Sequence, residues 1–293
     1  MGRFEGWGRA LWTAFKRPGP VAALEPVTLT GDAIVDPTHV RRYREVCAFQ
    51  PGQGVPLTYP QLLTFPLLMR YMTSSACPWP AMGTVHLAND ITQHAPIRPG
   101  DRLRVRLRTG VCQAHDKGQV FTLSFQIEHA DADRLLWQAT QTLLRVGVSQ
   151  PLGAPWRDAL TSPTGELGAD LQAVGTFDAA ADIGRRYAAV SDDANPIHLW
   201  PFTARLLGFP SVLAHGLWSQ ARALAWLHPD GGPASARLQA TFKRPLFLPA
   251  QAGVWHGPAG GPCADLFEVR DVTGQLPHLR ARLCVLQAEV DPS

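Results

Sequence analysis

The chain writes one order of elements twice, and no other feature constrains its fold as tightly. In the first half a short helix is read at "DPTHVRRYREVCAF", with Asp36 as N-cap, Pro37 at the first helical position and Val40, Tyr43 and Cys47 on one face. A Pro/Gly-rich loop leads to "YPQLLTFPLLMRYM", an apolar run long enough for a buried helix. Four strand-like segments follow: "GTVHLANDI", "DRLRVRLRTGV", "QVFTLSFQIEHA" and "LLWQATQTLLRV". Within them "RLRVRLR" alternates strictly, as a strand with one wet face should. The second half repeats the order, with a short helix at "ADIGRRYAAV" and an apolar helix at "AHGLWSQARALAWL". Strands come next at "ARLQATFKRPLFL", "AGVWHG", "ADLFEVRD" and "LRARLCVLQAEV". A helix followed by a run of antiparallel strands, occurring twice, predicts an α+β chain made of two copies of one domain. In each copy the sheet wraps around its apolar helix.

The boundaries follow from composition. Residues 1–20 form an extension, 21–150 the first copy and 169–293 the second. Residues 151–168 between them carry the Pro, Gly, Ser and Thr of a linker. In the extension Phe4, Trp7, Leu11 and Phe15 recur at helical spacing beside Arg3, Arg9, Lys16 and Arg17. This is either a short interfacial helix on a membrane or, the reading preferred, an amphipathic extension docked on its own protein. Gly, Glu and Arg interrupt any apolar core that a signal peptide needs, and no apolar run approaches the ~20 residues that span a bilayer. The formal charge of +3 is spread over scattered arginines, which argues against nucleic-acid binding and leaves a weak positive field suited to a phosphate-bearing ligand. Cysteines 47, 77, 112, 263 and 284 show no CxxC pair, so five reduced thiols of a cytoplasmic protein are expected.

The stretch "SDDANPIH", residues 191–198, carries the chemistry. Pro196 biases Asn195 away from the right-handed helical region, so the segment leaves its helix as a bend. Such a bend can aim Asp193 and His198 into one cavity. Taken singly, Asp193 reads as a capping acid, Asn-Pro as an ordinary turn and His198 as a structural histidine; in this order they favour catalysis. No third ligand accompanies Asp193 and His198, so neither a metal nor a cofactor is expected. His86 and His94 lack an acidic partner at the required spacing and read as packing or turn residues. Trp200, Phe202, Phe209 and Trp218 are assigned to the core, some of them lining a tunnel.

These residues resemble the MaoC-like hydratase/dehydratase family, whose fold is the hotdog. The family signature is matched by Tyr187, Ser191, Asp192, Asp193, Asn195, Pro196, Ile197, His198 and Ala204. "GFPSVLAHGLW" is similar to its second motif, in which a His-Gly pair opens the central helix. "YREVCAF", "VPLTYPQLLTFPLLMRYM", "PWPAMGTVHLANDITQHAPI" and "PGDRL" resemble the degenerate first repeat of two-hotdog members. The resemblance implies a double hotdog with one site per chain, since the first half has no Asp-x-Asn-Pro-x-His. It also implies reversible hydration of 2-enoyl, or dehydration of (R)-3-hydroxyacyl, thioesters carried on coenzyme A or acyl carrier protein.

In that reading Asp193 and His198 form an acid–base pair around a water, and Asn195 holds the loop or the water. The N–H of Gly216 stabilises the thioester oxygen. Ser191, Pro196, Ile197 and His215 lie against the substrate, His215 also shaping the helix entry. Asp192 stands where the family usually has Gly. At a positive φ, Asp is tolerated better than most residues, and a carboxylate sharing Asp193's space would raise its pKa. An acyl-thioesterase and a non-catalytic acyl-binding subunit are the alternatives on this fold. Two copies in one chain pair as an internal pseudo-dimer, which leaves a homodimer optional.

Overall fold

The computed structural model describes residues 13, 16, 19–132, 134–161, 171–259 and 263–286. The first half runs β1 (Thr28–Ile34), α1 (Pro37–Cys47), α2 (Pro60–Leu63), α3 (Phe65–Met72), β2 (Thr84–Gln93), β3 (Arg102–His115), β4 (Gly118–His129) and β5 (Leu135–Val146). The second runs β6 (Gln172–Ala179), α4 (Ile183–Ser191), a 3-10 turn (Pro196–His198), α5 (Pro201–Leu206), α6 (Gly216–Leu227), β7 (Ala236–Phe242), β8 (Ala250–Pro258), β9 (Cys263–Asp271) and β10 (Pro277–Val285).

Among the described residues the strands form one ten-stranded antiparallel sheet in the order β1-β3-β4-β5-β2-β7-β10-β9-β8-β6. From either outer edge inward the order is the same: β1-β3-β4-β5-β2 is met by β6-β8-β9-β10-β7. Two five-stranded sheets therefore join at β2 and β7, where Ala88 lies opposite Thr241 and Gln93 opposite Ala236. The seam removes two edges that would otherwise offer unpaired backbone.

Alternation places the core. Leu103, Val105 and Leu107 of β3 point inward and are buried, while Arg102, Arg104, Arg106 and Arg108 alternate with them. In the second half Ala221 and Leu224 of α6 are fully buried, among a core that includes Leu279 and Ala281 of β10. Asp36 caps α1 by accepting from the Thr38 N–H at 2.8 Å, and Trp218 of α6 donates its indole N–H to the Val46 carbonyl at 3.0 Å. The helices of the two halves are thus tied across the middle.

Three local expectations are corrected. The run at 59–72 is two short helices rather than one, because Pro66 has no N–H to give the carbonyl four residues back. The outermost strands, β1 and β6, were not read from sequence: "TLTGDAI" and "QAVGTFDA" are half-exposed edges interrupted by Gly and Asp. The cysteines are not all free. Cys263 and Cys284 face each other across the β9–β10 pairing and form a disulfide, whereas Cys47, Cys77 and Cys112 are free and buried.

Two further segments bear on the boundaries. Of the extension, Thr13 and Lys16 are described and lie docked: the Thr13 hydroxyl accepts from the Ala81 N–H at 3.0 Å, and Lys16 Nζ donates to the Ser74 and Cys77 carbonyls at 2.6 Å. Phe4, Trp7, Leu11 and Phe15 lie outside the described residues. Residues 151–161 of the segment between the halves cross the sheet, with Pro155 bridged to Ala114.

α1 and α4 end alike. Ala48 (φ 59, ψ 35) and Asp192 (φ 59, ψ 3) cap them in the left-handed region. The next residue is buried Phe49 in the first half and Asp193 in the second. One backbone turn thus carries a hydrophobe in one copy and a carboxylate in the other.

Candidate active site

The loop after α4 is held by its own short polar side chains. The Asp193 N–H donates to Ser191 Oγ and the Asn195 N–H to Asp193 Oδ1, each at 3.2 Å; the Ile197 N–H donates to Asn195 Oδ1 at 3.4 Å. Such Asx-type bonds compete with helix and stabilise a bend. Pro196 opens the 3-10 turn, and Thr203 Oγ1 donates to its carbonyl at 2.6 Å. Gly184 of α4 makes room for the turn: a Cβ there would lie 2.0 Å from the His198 carbonyl oxygen.

His198 Nδ1 donates to the Leu213 carbonyl at 2.9 Å, which leaves Nε2 to accept or carry a proton. His215, the N-cap of α6, stacks on His198 at 3.7 Å between ring centroids and donates from Nε2 to the Asp193 carbonyl at 3.0 Å. Its Nδ1 is buried without a partner among the described residues, and the Tyr187 ring lies 5.0 Å away. Ligand atoms of Asp193, His198 and His215 all fall within 4.8 Å of one another. The sequence lacked a third residue that could join Asp193 and His198 at a metal; the fold supplies His215.

Gly216 is the first residue of α6, so helical geometry gives its N–H no intrahelical partner and aligns it with the helix dipole. A Cβ on Gly216 would stand 2.9 Å from the Phe242 ring, so glycine is what lets the strand and helix meet there. These groups share a cavity of about 800 Å³ with Ser191, Asn195 and Ile197. Leu62, Phe65, Leu68, Met69 and Met72 of the first half line it as well.

Burial raises the Asp193 pKa above the ordinary carboxylate value; His198 and the Asn195 N–H pull it partly back. Burial lowers His198, with Asp193 and the Leu213 carbonyl opposing. Burial also lowers His215 well below the ordinary imidazole range, and His198 adds to the effect. The Asp193 and His198 pKa values are drawn toward each other, the condition under which a proton passes either way at little cost.

Asp193, Asn195, His198, Gly216, Ser191, Ile197 and His215 are therefore brought together, whereas Pro196 stays off the cavity wall and acts through the turn it opens. Asp192 has the left-handed φ but is exposed, and burial rather than Asp192 raises Asp193. Trp218 is buried and Phe209 lines the cavity, but Trp200 and Phe202 are 54% and 75% exposed and are not core. His86 packs with its ring centroid 5.7 Å from that of Phe242, as a packing residue would, and it also lines the cavity; burial lowers its pKa to about 4. Its place beside the seam strand β7 carries no local sequence signal.

Residues 166–275 match the family described as the MaoC like domain. The chain is 35% identical over 247 residues to the 3-hydroxyacyl-thioester dehydratase X of Mycobacterium tuberculosis, covering 84% of this chain and 85% of that one. A crystal structure of HtdX from the same organism superposes with a TM-score of 0.74 at 32% identity, covering 89% of this chain and 100% of that chain. A MaoC-like dehydratase from Phytophthora capsici, 16% identical, has the same fold with a TM-score of 0.72, covering 90% of this chain and 96% of that chain. A repeated five-stranded sheet, one bend bearing Asp193 and His198, and these likenesses place the chain in the MaoC-like dehydratase family.

Proposed function

We propose that the chain interconverts (R)-3-hydroxyacyl and 2-enoyl thioesters, with Asp193 and His198 as the acid–base pair. The observation that carries this is the convergence of both side chains on one cavity at the N-terminus of α6. Dehydration needs a base for the C2 proton and an acid for the departing 3-hydroxyl. Burial shifts each group toward its uncharged form, the carboxylic acid at Asp193 and the neutral imidazole at His198, which are the forms that dehydration uses. His198 Nε2 takes the C2 proton, the Gly216 N–H bears the charge that builds on the thioester oxygen, and Asp193 protonates the hydroxyl as it leaves as water. The products leave Asp193 ionised and His198 protonated, which is the starting form for hydration. No proton is lost between the two directions. Asn195 holds the carboxylate, and Ser191, Ile197 and His215 complete the wall.

The assay follows crotonyl- and longer 2-enoyl-coenzyme A for loss of the conjugated-alkene absorbance, with free thiol measured in parallel. Alkene loss without thiol is the expected result. Thiol release would make the chain a thioesterase, and neither signal would make it an acyl-binding subunit. The reading further takes in a cytoplasmic location, no resident cofactor, coenzyme A or acyl carrier protein as carrier, and an optional homodimer. The chain is divided at 1–20, 21–150, 151–168 and 169–293. Among the described residues no helix is long and apolar enough to cross a membrane.

A further inference from the structure

The cavity does not end at the catalytic loop. Phe242 of β7 packs on Gly216, while Thr241 and Lys243 on either side of it face away from α6, as alternation along a strand requires. Trp156, Asp158 and Thr161 of the segment joining the two halves line the cavity together with Thr241 and Lys243, and these residues define its second lobe. Trp156 of this segment lies 5.7 Å from the His115 ring, and Asp158 accepts from Thr241 Oγ1 at 2.8 Å and from Lys243 Nζ. Lys117 and Arg244 also line the cavity, are exposed, and pair with no acid among the described residues. The lobe therefore offers two uncompensated cations, a third that Asp158 neutralises, and a pair of aromatic rings.

We infer that this lobe holds the nucleotide end of a coenzyme A thioester, and that the segment between the repeats selects the carrier. The inference rests on the thioester reading above. A coenzyme A thioester brings a diphosphate, a further phosphate and a purine to the end of its pantetheine arm. Pantetheine attached to a protein brings a single phosphodiester and no base. Unpaired Lys117 and Arg244 match the former charge, and the rings of Trp156 and His115 offer the purine a face. A single repeat has no joining segment, so this lobe belongs to the two-copy chain.

The test compares crotonyl-coenzyme A with crotonyl-pantetheine, which has the same reacting end and no nucleotide. Trp156→Ala, which removes the ring face, and Lys117→Gln combined with Arg244→Gln, which removes both cations, each raise KM for the coenzyme A thioester about tenfold. Turnover at saturation and KM for the pantetheine thioester stay unchanged, and adenosine 3′,5′-bisphosphate competes with the coenzyme A substrate. Should Trp156→Ala not fold, the double Gln variant and the competition by the bisphosphate decide alone. Equal kcat/KM for the two substrates in the wild type, or KM values that move together in the variants, overturn the inference while the thioester reading stands. Hydration of neither substrate overturns both.

Discussion

Asp193→Asn keeps the shape of the carboxylate but cannot exchange its proton, and His198→Gln removes the imidazole while preserving a polar side chain. Each lowers turnover at least ~10²-fold with folding intact, as read by initial rates beside circular dichroism. The double variant is scarcely slower than either single one, because the two proton transfers belong to one elimination and the groups act as a unit. Additive losses would mean that the residues serve separate steps. Chelation by EDTA leaves the rate unchanged; a loss restored by zinc would reassign Asp193, His198 and His215 as metal ligands. The sequence carried the pair plainly, since Asp-x-Asn-Pro-x-His is a local pattern whose bend follows from Pro196. It carried His215 only through the His-Gly pair of the second motif, and it did not carry His86, because strand pairing at the seam brings that residue to the cavity from the other repeat.

At the scale of single elements, two small residues decide where the loop sits. Gly184→Ala places a methyl group against the His198 carbonyl, so α4 and the catalytic turn must part. Stability falls by about 1–3 kcal/mol and turnover drops with it, measured by urea unfolding and initial rates. A silent Gly184→Ala would mean that the turn yields freely. Asp192→Gly has the opposite expectation: the left-handed cap is relieved, and activity and its pH profile hold, because Asp192 is exposed and burial sets the Asp193 pKa. A pH optimum displaced by that substitution would restore Asp192 as an electrostatic neighbour. Element order was legible because α1, α6 and the inner strands have strong periodicity. β1 and β6 were not, because an edge strand needs apolar residues on one face only and has no partner beyond it. The break at Thr64 needed Pro66 to be weighed against an otherwise continuous apolar run.

For the molecule as a whole, burying neutral imidazoles has a cost in acid. His86, His198, His215 and His278 all have pKa values lowered chiefly by burial. The unfolded chain binds protons near the ordinary 6.5 that the folded chain refuses, so unfolding takes up protons and stability falls as pH drops below that value. His86 continues to contribute down to about 4, each such group adding at most about 1.4 kcal/mol per pH unit. Asp193, with its raised pKa, opposes this only above the ordinary carboxylate value of 3.8. Urea midpoints at pH 7, 6 and 5 should fall in that order, and His86→Gln should flatten the fall; a flat wild-type series would mean that these imidazoles are wet.

The seam between β2 and β7 makes the catalytic cavity a joint product of both repeats, with Leu62, Phe65 and Met69 from one and Asp193 and His198 from the other. If the repeats were separate chains, such a site would form only when two molecules met, and dilution would dismantle it. Here one covalent chain holds both, so the second repeat always meets the first at an effective concentration that no dilution of the protein can lower. Specific activity should therefore hold constant from micromolar to low nanomolar protein. A rate per mole that falls on dilution would show that a second chain is needed to complete the site.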